Sequence, residues 1–439
     1  MLDDKCNSHE IKPHARRARC VFRTRIDLHA VRSRTSLNEF EMAFIVLIFV
    51  LCTCFIFSET QMRKEAYMSV PQLITSAGYP TEKHRVKTTD GYILQMHRIP
   101  AGRRTIRRSG TPNAKGKKAV LIVHGLLGSS SDFVIMGPDR SLGYILADAG
   151  YDVWLGNLRG NMYTAHQTLH RNNTEFWDYS FEEHGKLDAP AMIDKVLNVT
   201  GLNRLLYIGY SMGTTTFFTM MSQRPEYNDK IIAFIALAPA VYLDNAKFLA
   251  NTLLKTVNIP ATMRSRGIIS ATIDPNAMEF ILTSFCRIKD LENDICMRVI
   301  SGLVGEDYEQ TDLELTPIFL KKMQPASWRQ LEHFGKIAVT GVFTSWEDGL
   351  WGTVKAYNLS NVAVPVSLFY GENDQLTEKS QVMRLAAELN NTGVLESVGP
   401  SGNWPFNHLD FVMAKDIGNM LNRPLAKYVQ KLFNKYDTD

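Results

Sequence analysis

The motif Gly-Tyr-Ser-Met-Gly at 209–213 constrains the fold of this chain more than any other stretch. An apolar run of strand length, 205–208, precedes the motif, and a helix-compatible segment follows it. A sharp turn between a strand and a helix leaves no room for a Cβ atom at its outer positions, so Gly209 and Gly213 are required there. The pattern predicts that the Ser211 hydroxyl is held above the end of a strand. The alternative is an ordinary tight turn in which Ser211 caps the following helix.

The loop that follows a second strand-like run has a sequence suited to lie beside this serine. The apolar run 120–123 ends in His-Gly-Leu-Leu-Gly at 124–128. Loops of this kind provide one backbone N–H group of an oxyanion hole, and the residue after the serine provides the other. We therefore expect the N–H groups of Leu126 and Met212 to form this pair.

Two further residues complete a possible catalytic triad. The strand-like run 364–370 leads into Gly-Glu-Asn-Asp, which places Asp374 just beyond a strand end. Of the 11 histidines, His408 alone follows that aspartate, which is the chain order of serine, aspartate and histidine that this type of turn accompanies. Glu372 is the nearest rival for the acid, and Asp410 is better placed to brace the histidine loop.

Six stretches together resemble one known family. They are Ile-Thr-Ser-Ala-Gly-Tyr-Pro at 74–80, the run 88–100, His-Gly-Leu-Leu at 124–127, Gly-Asn-Leu-Arg-Gly-Asn at 156–161, Gly-Tyr-Ser-Met-Gly-Thr-Thr at 209–215 and Asn-His-Leu-Asp-Phe at 407–411. The set is similar to the animal acid lipases, which include gastric lipase, lysosomal acid lipase and many insect lipases. The resemblance covers about 70–433. In that family the serine often has His before it and Gln after it, where this chain has Tyr210 and Met212.

The resemblance implies an α/β-hydrolase fold and a serine hydrolase acting on neutral lipid esters, either triacylglycerols or sterol esters, at a lipid–water interface. A catalytically silent secreted lipid-binding protein and a soluble carboxylesterase stay open as alternatives. His166 and His170 have the spacing of a metal pair, but Gln167 stands where a metalloprotease has its glutamate. We expect neither a metal nor an organic cofactor.

The order of predicted elements gives the architecture. Predicted strands alternate with predicted helices, two of which are expected around 142–149 and 188–199. This alternation predicts a mostly parallel sheet covered by helices on both faces. From about 241 to 357 this alternation stops and the sequence is mainly helix-compatible. We expect one hydrolase domain over 65–435, with 241–357 inserted as a helical cap between the serine and the acid. Arg159 and Asp188 are expected to form a buried structural ion pair.

The N-terminus differs in character from the rest. Residues 1–41 hold nine Lys and Arg against six Asp and Glu and show no periodicity, which predicts a disordered basic leader. The apolar segment 42–58 is shorter than a typical membrane-spanning helix and fits a signal peptide cleaved near Ser58, or alternatively an uncleaved membrane anchor. Both place the enzyme outside the cytosol, either secreted or in the lysosomal lumen. The remaining chain is nearly neutral, so we expect no nucleic-acid partner.

Cysteines and sequons agree with an oxidising compartment. Cys286 and Cys296, the pair in the globular part, are expected to form a disulfide. Four Asn-x-Ser/Thr sequons permit glycosylation, at Asn172, Asn198, Asn358 and Asn390.

Overall fold

The computed structural model describes residues 63–105, 116–244, 258–268, 270–271, 295–402 and 404–437. The leader 1–41 and the apolar segment 42–58 lie outside these residues, as does Cys286. Of Cys296 the backbone is described but not the side chain. Across the described ranges, no helix is both long enough and apolar enough to cross a membrane.

Nine strands of the described residues form one sheet. They are β1 (Glu82–Lys87), β2 (Tyr92–Ile99), β3 (Ala119–Val123), β4 (Asp152–Leu155), β5 (Thr164–His166), β6 (Leu205–Tyr210), β7 (Ile231–Leu237), β8 (Val366–Tyr370) and β9 (Leu395–Pro400). The order across the sheet is β1-β2-β4-β3-β6-β7-β8-β9, with β5 paired to β2. The six strands from β4 to β9 in this order run parallel, whereas β1, β2 and β5 pair antiparallel.

Strand composition explains this arrangement. All residues of β3, β6 and β7 are buried, as expected for parallel strands with helices on both faces, and their sequences are nearly continuous apolar runs. In contrast, β1 alternates between half-buried and exposed residues and carries Lys and Arg. Charged side chains suit a strand at the edge of a sheet, because they discourage pairing with another chain.

Twelve α-helices are described. They are α1 (Val70–Ser76), α2 (Leu142–Asp148), α3 (Phe181–Glu183), α4 (Ala189–Thr200), α5 (Met212–Gln223), α6 (Ile259–Ser265), α7 (Ile295–Val304), α8 (Thr316–Lys321), α9 (Trp328–Thr340), α10 (Lys379–Asn391), α11 (Asp410–Met413) and α12 (Arg423–Tyr436). A π-helical turn, His184–Asp188, joins α3 to α4. Two apolar clusters lie on opposite faces of the sheet, so that Leu121 belongs to one and its neighbour Ile122 to the other. The helices at 142–148 and 189–200 match their predicted positions within one residue.

Four helices lie in the described part of the stretch where a cap is expected. Between β7 and β8, the described ranges contain α6, α7, α8 and α9 and only two isolated β-bridges. The remainder of the predicted insertion, including 245–257 and 272–294, lies outside the described residues. Along the chain, these four helices come after the strand that leads to Ser211 and before the strand that leads to Asp374.

Candidate active site

A strained turn joins β6 to α5 and carries Ser211. Ser211 has φ of 50° and ψ of −118°, in a region that non-glycine residues rarely adopt, and its N–H donates to the Leu237 carbonyl at 2.9 Å. A Cβ on Gly209 would lie 2.7 Å from the Gly213 carbonyl, and a Cβ on Gly213 would lie 2.3 Å from the Val123 carbonyl oxygen. Backbone atoms cannot yield at such distances, so both positions require glycine.

A chain of hydrogen bonds runs from this serine through a histidine to an aspartate. Ser211 Oγ lies 2.8 Å from His408 Nε2, and His408 Nδ1 lies 2.8 Å from Asp374 Oδ2. The three residues are only 8%, 5% and 4% exposed respectively. The Ser211 side chain makes no capping hydrogen bond to α5, so it is not the helix cap of the alternative interpretation. The geometry suits proton transfer from the hydroxyl to the imidazole.

Asp374 is held by its own loop. Its Oδ1 accepts the backbone N–H groups of Leu376 and Thr377, both at 2.8 Å, and its Oδ2 accepts the Thr377 hydroxyl at 2.6 Å. These donors fix the carboxylate so that Oδ2 faces the imidazole. The sequence reasoning did not identify Thr377, although an aspartate that accepts N–H groups two and three residues ahead is a known turn pattern.

The two rival carboxylates occupy other positions. Glu372 is exposed, and its Oε1 lies 2.9 Å from Lys379 Nζ. Asp410 is buried, and its Oδ2 accepts the Asn407 N–H at 2.6 Å. Neither carboxylate is hydrogen-bonded to the His408 ring in the described contacts. Asp374 is therefore the carboxylate that the fold brings to this histidine.

The loop after β3 lies beside the serine. A Cβ on Gly125 would be 3.1 Å from Ser211 Cβ, and Leu127 adopts a positive φ of 59°. His124 holds the loop, because its Nε2 accepts the Leu158 N–H at 3.1 Å while its Nδ1 donates to the Gly125 carbonyl at 2.8 Å. Burial lowers the pKa of His124 to about 4, so this ring stays neutral above that pH.

Tyr210 and Met212, which differ from the residues common in the family, each contact another part of the chain. The hydroxyl of Tyr210 donates to the His408 carbonyl at 2.9 Å, which links the turn to the histidine loop. The Gln330 amide, at the start of α9, donates to the Met212 sulfur and so joins the cap to the same turn. Sequence reasoning could not find either contact, because the partners are far apart along the chain.

Arg159 and Asp188 form the expected buried ion pair. Arg159 Nη2 lies 2.7 Å from Asp188 Oδ1, and Arg159 Nη1 lies 2.6 Å from Asp90 Oδ2. Burial acts to lower the pKa of Arg159, but the two carboxylates outweigh it and raise that pKa above its usual value. Since these groups are not hydrogen-bonded to Ser211, His408 or Asp374, the pair is structural.

The histidine pair and the sequon asparagines are other residues that the sequence singled out. Among the described residues, no cluster of three or more His, Cys, Asp or Glu could hold a metal ion. His166 donates from Nε2 to the Asp90 carbonyl at 2.8 Å. The four sequon asparagines, at 172, 198, 358 and 390, are all exposed and hence open to modification.

Two family models match the chain. A partial α/β-hydrolase lipase region matches residues 70–137, and the α/β hydrolase fold matches residues 118–406.

Several curated proteins and solved structures are similar to it. Lipase 1 of Drosophila melanogaster is 37% identical over 84% of this chain and 82% of the relative. Gastric triacylglycerol lipase of Bos taurus is 33% identical over 80% of this chain and 88% of the relative. Lipase member K of Homo sapiens is 32% identical over 80% of this chain and 88% of the relative. Among solved structures, a putative lipase from Sulfolobus solfataricus aligns over 80% of this chain and 94% of that protein's chain, with a TM-score of 0.53. At 16% sequence identity, this similarity shows a shared fold.

Proposed function

Because this chain belongs to the α/β-hydrolase family of lipases, we propose that it hydrolyses carboxylic esters of neutral lipids with Ser211, His408 and Asp374 as its catalytic triad. The observation that carries the proposal is the pair of 2.8 Å hydrogen bonds that connects the three side chains. Burial of all three excludes bulk water from the proton path, which strengthens the electrostatic interactions there.

The reaction follows from the positions of the groups. Ser211 Oγ attacks the ester carbonyl carbon while its proton passes to His408 Nε2, and Asp374 stabilises the imidazolium that forms. The tetrahedral intermediate then breaks its bond to the alcohol, which leaves with the proton from His408. Water, deprotonated by the same imidazole, attacks the acyl-enzyme and releases the fatty acid, and the proton returns to Ser211.

We assign the oxyanion hole to the N–H groups of Leu126 and Met212. Leu126 follows Gly125, which lies beside Ser211, and Met212 opens α5 directly after the serine. Each such donor typically contributes about 10²–10³-fold to kcat, because it is already oriented when the negative charge develops. The Met212 side chain has no part in this role, so the departure from the family's glutamine leaves the donor intact.

The substrate class rests on relatives and on the cap. Curated relatives include gastric triacylglycerol lipases, and the described cap contains helices with buried apolar side chains such as Ile318 and Ile337. A cap of this kind can cover an apolar acyl site in water and open at a lipid surface. We therefore infer that triacylglycerols or sterol esters at an interface are the substrates, with no cofactor.

The protein is expected to hydrolyse emulsified triolein or cholesteryl oleate faster than soluble acetate and butyrate esters. The physical reason is that an apolar surface favours the open cap, whereas a monomeric soluble ester does not. Initial rates measured below and above the solubility limit of tributyrin would show the effect as a rise at the limit. Rapid cleavage of short-chain esters, with no rise at the limit, would instead identify a soluble carboxylesterase with the same triad.

The alternative from a different functional class is a lipid-binding protein without catalytic activity. The connected serine, histidine and aspartate count against it, because lipid binding alone needs no such arrangement. A fluorophosphonate probe separates the two classes, since it labels only an activated serine. A folded protein that bound lipid without labelling would be a binding protein.

We further propose that the enzyme is secreted or lysosomal. The exposed asparagines of all four sequons support this assignment, and a membrane-anchored form with the catalytic domain outside the cytosol is the runner-up. Expressed in insect or mammalian cells, the protein is expected to lose mass on treatment with peptide N-glycosidase. Unchanged mass and recovery in the cytosol would contradict both locations.

A further inference from the structure

The main chain of His408 is held from two sides by groups outside its own loop. Its N–H donates to the carbonyl of Val304, the last residue of α7, at 3.0 Å. Its carbonyl accepts the hydroxyl of Tyr210, the last residue of β6, at 2.9 Å. Of these two contacts, only the second is made by a side chain. It can therefore be removed by a substitution that leaves the backbone intact.

The His408 carbonyl depends on this hydroxyl. His408 is 5% exposed and precedes α11, where the N–H groups of Val412 and Met413 donate to the Leu409 carbonyl instead. Among the described contacts, the Tyr210 hydroxyl is the donor that reaches the His408 carbonyl. A buried carbonyl that lacks a donor costs free energy comparable to a lost hydrogen bond. The hydroxyl therefore favours the loop position in which the carbonyl lies within its reach.

Tyr210 is itself fixed by the sheet and by aromatic packing. It is 4% exposed and ends a strand that pairs with β3 on one side and β7 on the other. Its ring centroid lies 6.4 Å from that of Phe411 and 5.5 Å from that of His408. A Cβ on Gly125 would be 3.0 Å from a ring carbon of Tyr210 and 3.1 Å from Ser211 Cβ. One side chain thus lies against both the histidine loop and the loop beside the serine.

The hydroxyl keeps the hydrogen that it donates. Burial, followed by the charges of Asp132, Asp374 and Asp410, raises the pKa of Tyr210 well above its usual value. A neutral phenol can donate to a carbonyl, whereas a phenolate has no hydrogen to donate. The contact with His408 is therefore kept at neutral and mildly alkaline pH.

We propose that Tyr210 is a positioning residue, whose hydroxyl holds the His408 backbone where the imidazole reaches both Ser211 and Asp374. The role rests on the proposed function, in which His408 is the base that activates Ser211. Both contacts of the imidazole are 2.8 Å long, so a shift of the loop lengthens at least one of them. Proton transfer requires hydrogen-bond reach, and a displacement of ~1 Å can cost about 10²-fold in rate.

His408 acts twice during acylation, and the two steps depend differently on the ester. As a base it accepts the Ser211 proton, which every ester requires. As an acid it gives that proton to the leaving alcohol. An alkyl alcohol needs the proton in order to leave, whereas p-nitrophenolate leaves as a stable anion. A displaced imidazole should therefore slow alkyl esters more than p-nitrophenyl esters, whereas a general loss of folded protein slows both alike.

The test compares the full chain with Tyr210→Phe, and with Tyr92→Phe as a matched control. Tyr92 is also 4% exposed, and its hydroxyl also donates to a main-chain carbonyl, that of Phe176, at 2.5 Å. Each substitution removes one hydroxyl from a buried carbonyl, so the two losses of stability should be similar. In the described contacts, Tyr92 is not hydrogen-bonded to any residue of the triad. Tyr210→His is a second variant, because its side chain is too short to reach the His408 carbonyl from the same backbone position.

The readouts are kcat/KM for p-nitrophenyl butyrate and for dissolved tributyrin, the rate of fluorophosphonate labelling, and Tm. For Tyr210→Phe we expect kcat/KM to fall about 10-fold with p-nitrophenyl butyrate and about 100-fold with tributyrin. Labelling should slow about 10-fold, because fluoride leaves without a proton. Tyr210→His should show the same pattern. Tyr92→Phe should keep both kcat/KM values within about twofold of the wild type, although its Tm falls as far as that of Tyr210→Phe.

Folded Tyr210→Phe with the same two kcat/KM values as Tyr92→Phe would overturn the inference and leave the proposed function standing. Equal losses with the two esters would also overturn it, because they indicate less active protein and not a displaced imidazole. Should Tyr210→Phe fail to fold, the same comparison of esters in Tyr210→His decides. Wild-type protein that hydrolyses neither ester and resists labelling would overturn the proposed function, and with it this role of Tyr210.

Discussion

Replacing Ser211 with alanine is expected to lower kcat for p-nitrophenyl butyrate by about 10⁶-fold and to abolish fluorophosphonate labelling. The hydroxyl is the group that would form the acyl-enzyme, and its 2.8 Å hydrogen bond to His408 is the route by which its proton would leave. Without this hydroxyl, a water molecule has to attack the ester directly. The oxyanion hole and substrate binding then preserve only a small rate enhancement.

The matched control for this substitution is Ser76→Ala. Ser76 is an exposed serine at the end of α1, where its hydroxyl donates to the Leu73 carbonyl at 3.0 Å. Its loss removes one hydroxyl from the protein without touching the triad, so kcat should be unchanged. Hydrolysis near the wild-type rate by correctly folded Ser211→Ala would remove this serine from the mechanism.

Replacing Asp374 with asparagine is expected to lower kcat by about 10⁴-fold while leaving substrate binding largely intact. The Oδ1 of the new amide can still accept hydrogen bonds from the N–H groups of Leu376 and Thr377, so the loop retains its shape. The amide nitrogen would then face His408 Nδ1, which favours the tautomer with hydrogen on Nε2. A protonated Nε2 cannot accept the serine proton, and the imidazolium also loses its stabilising charge.

Glu372→Gln tests whether the neighbouring carboxylate could serve instead. Glu372 forms an exposed ion pair with Lys379, a kind of contact that contributes little to stability. We therefore expect kcat within about twofold of the wild type, since a surface substitution of this kind rarely disturbs a buried site. A loss in Glu372→Gln as large as that in Asp374→Asn would contradict the assignment of the acid.

The strands, the turn and the chain order of the candidate triad residues could be predicted from the sequence alone. Gly209 satisfies a steric demand that acts within five residues, because a Cβ there would meet Gly213, so the motif itself carries that information. Buried parallel strands such as β3 and β7 are continuous apolar runs, which a periodicity argument recognises. The family resemblance then added the substrate class, which does not follow from local pattern.

Only the tertiary structure decided which side chains support the candidate triad. Tyr210 meets the His408 carbonyl across 198 positions of sequence, and Gln330 meets the Met212 sulfur across 118. No local pattern encodes such pairs, because a side chain's neighbours across the fold depend on how whole strands and loops pack.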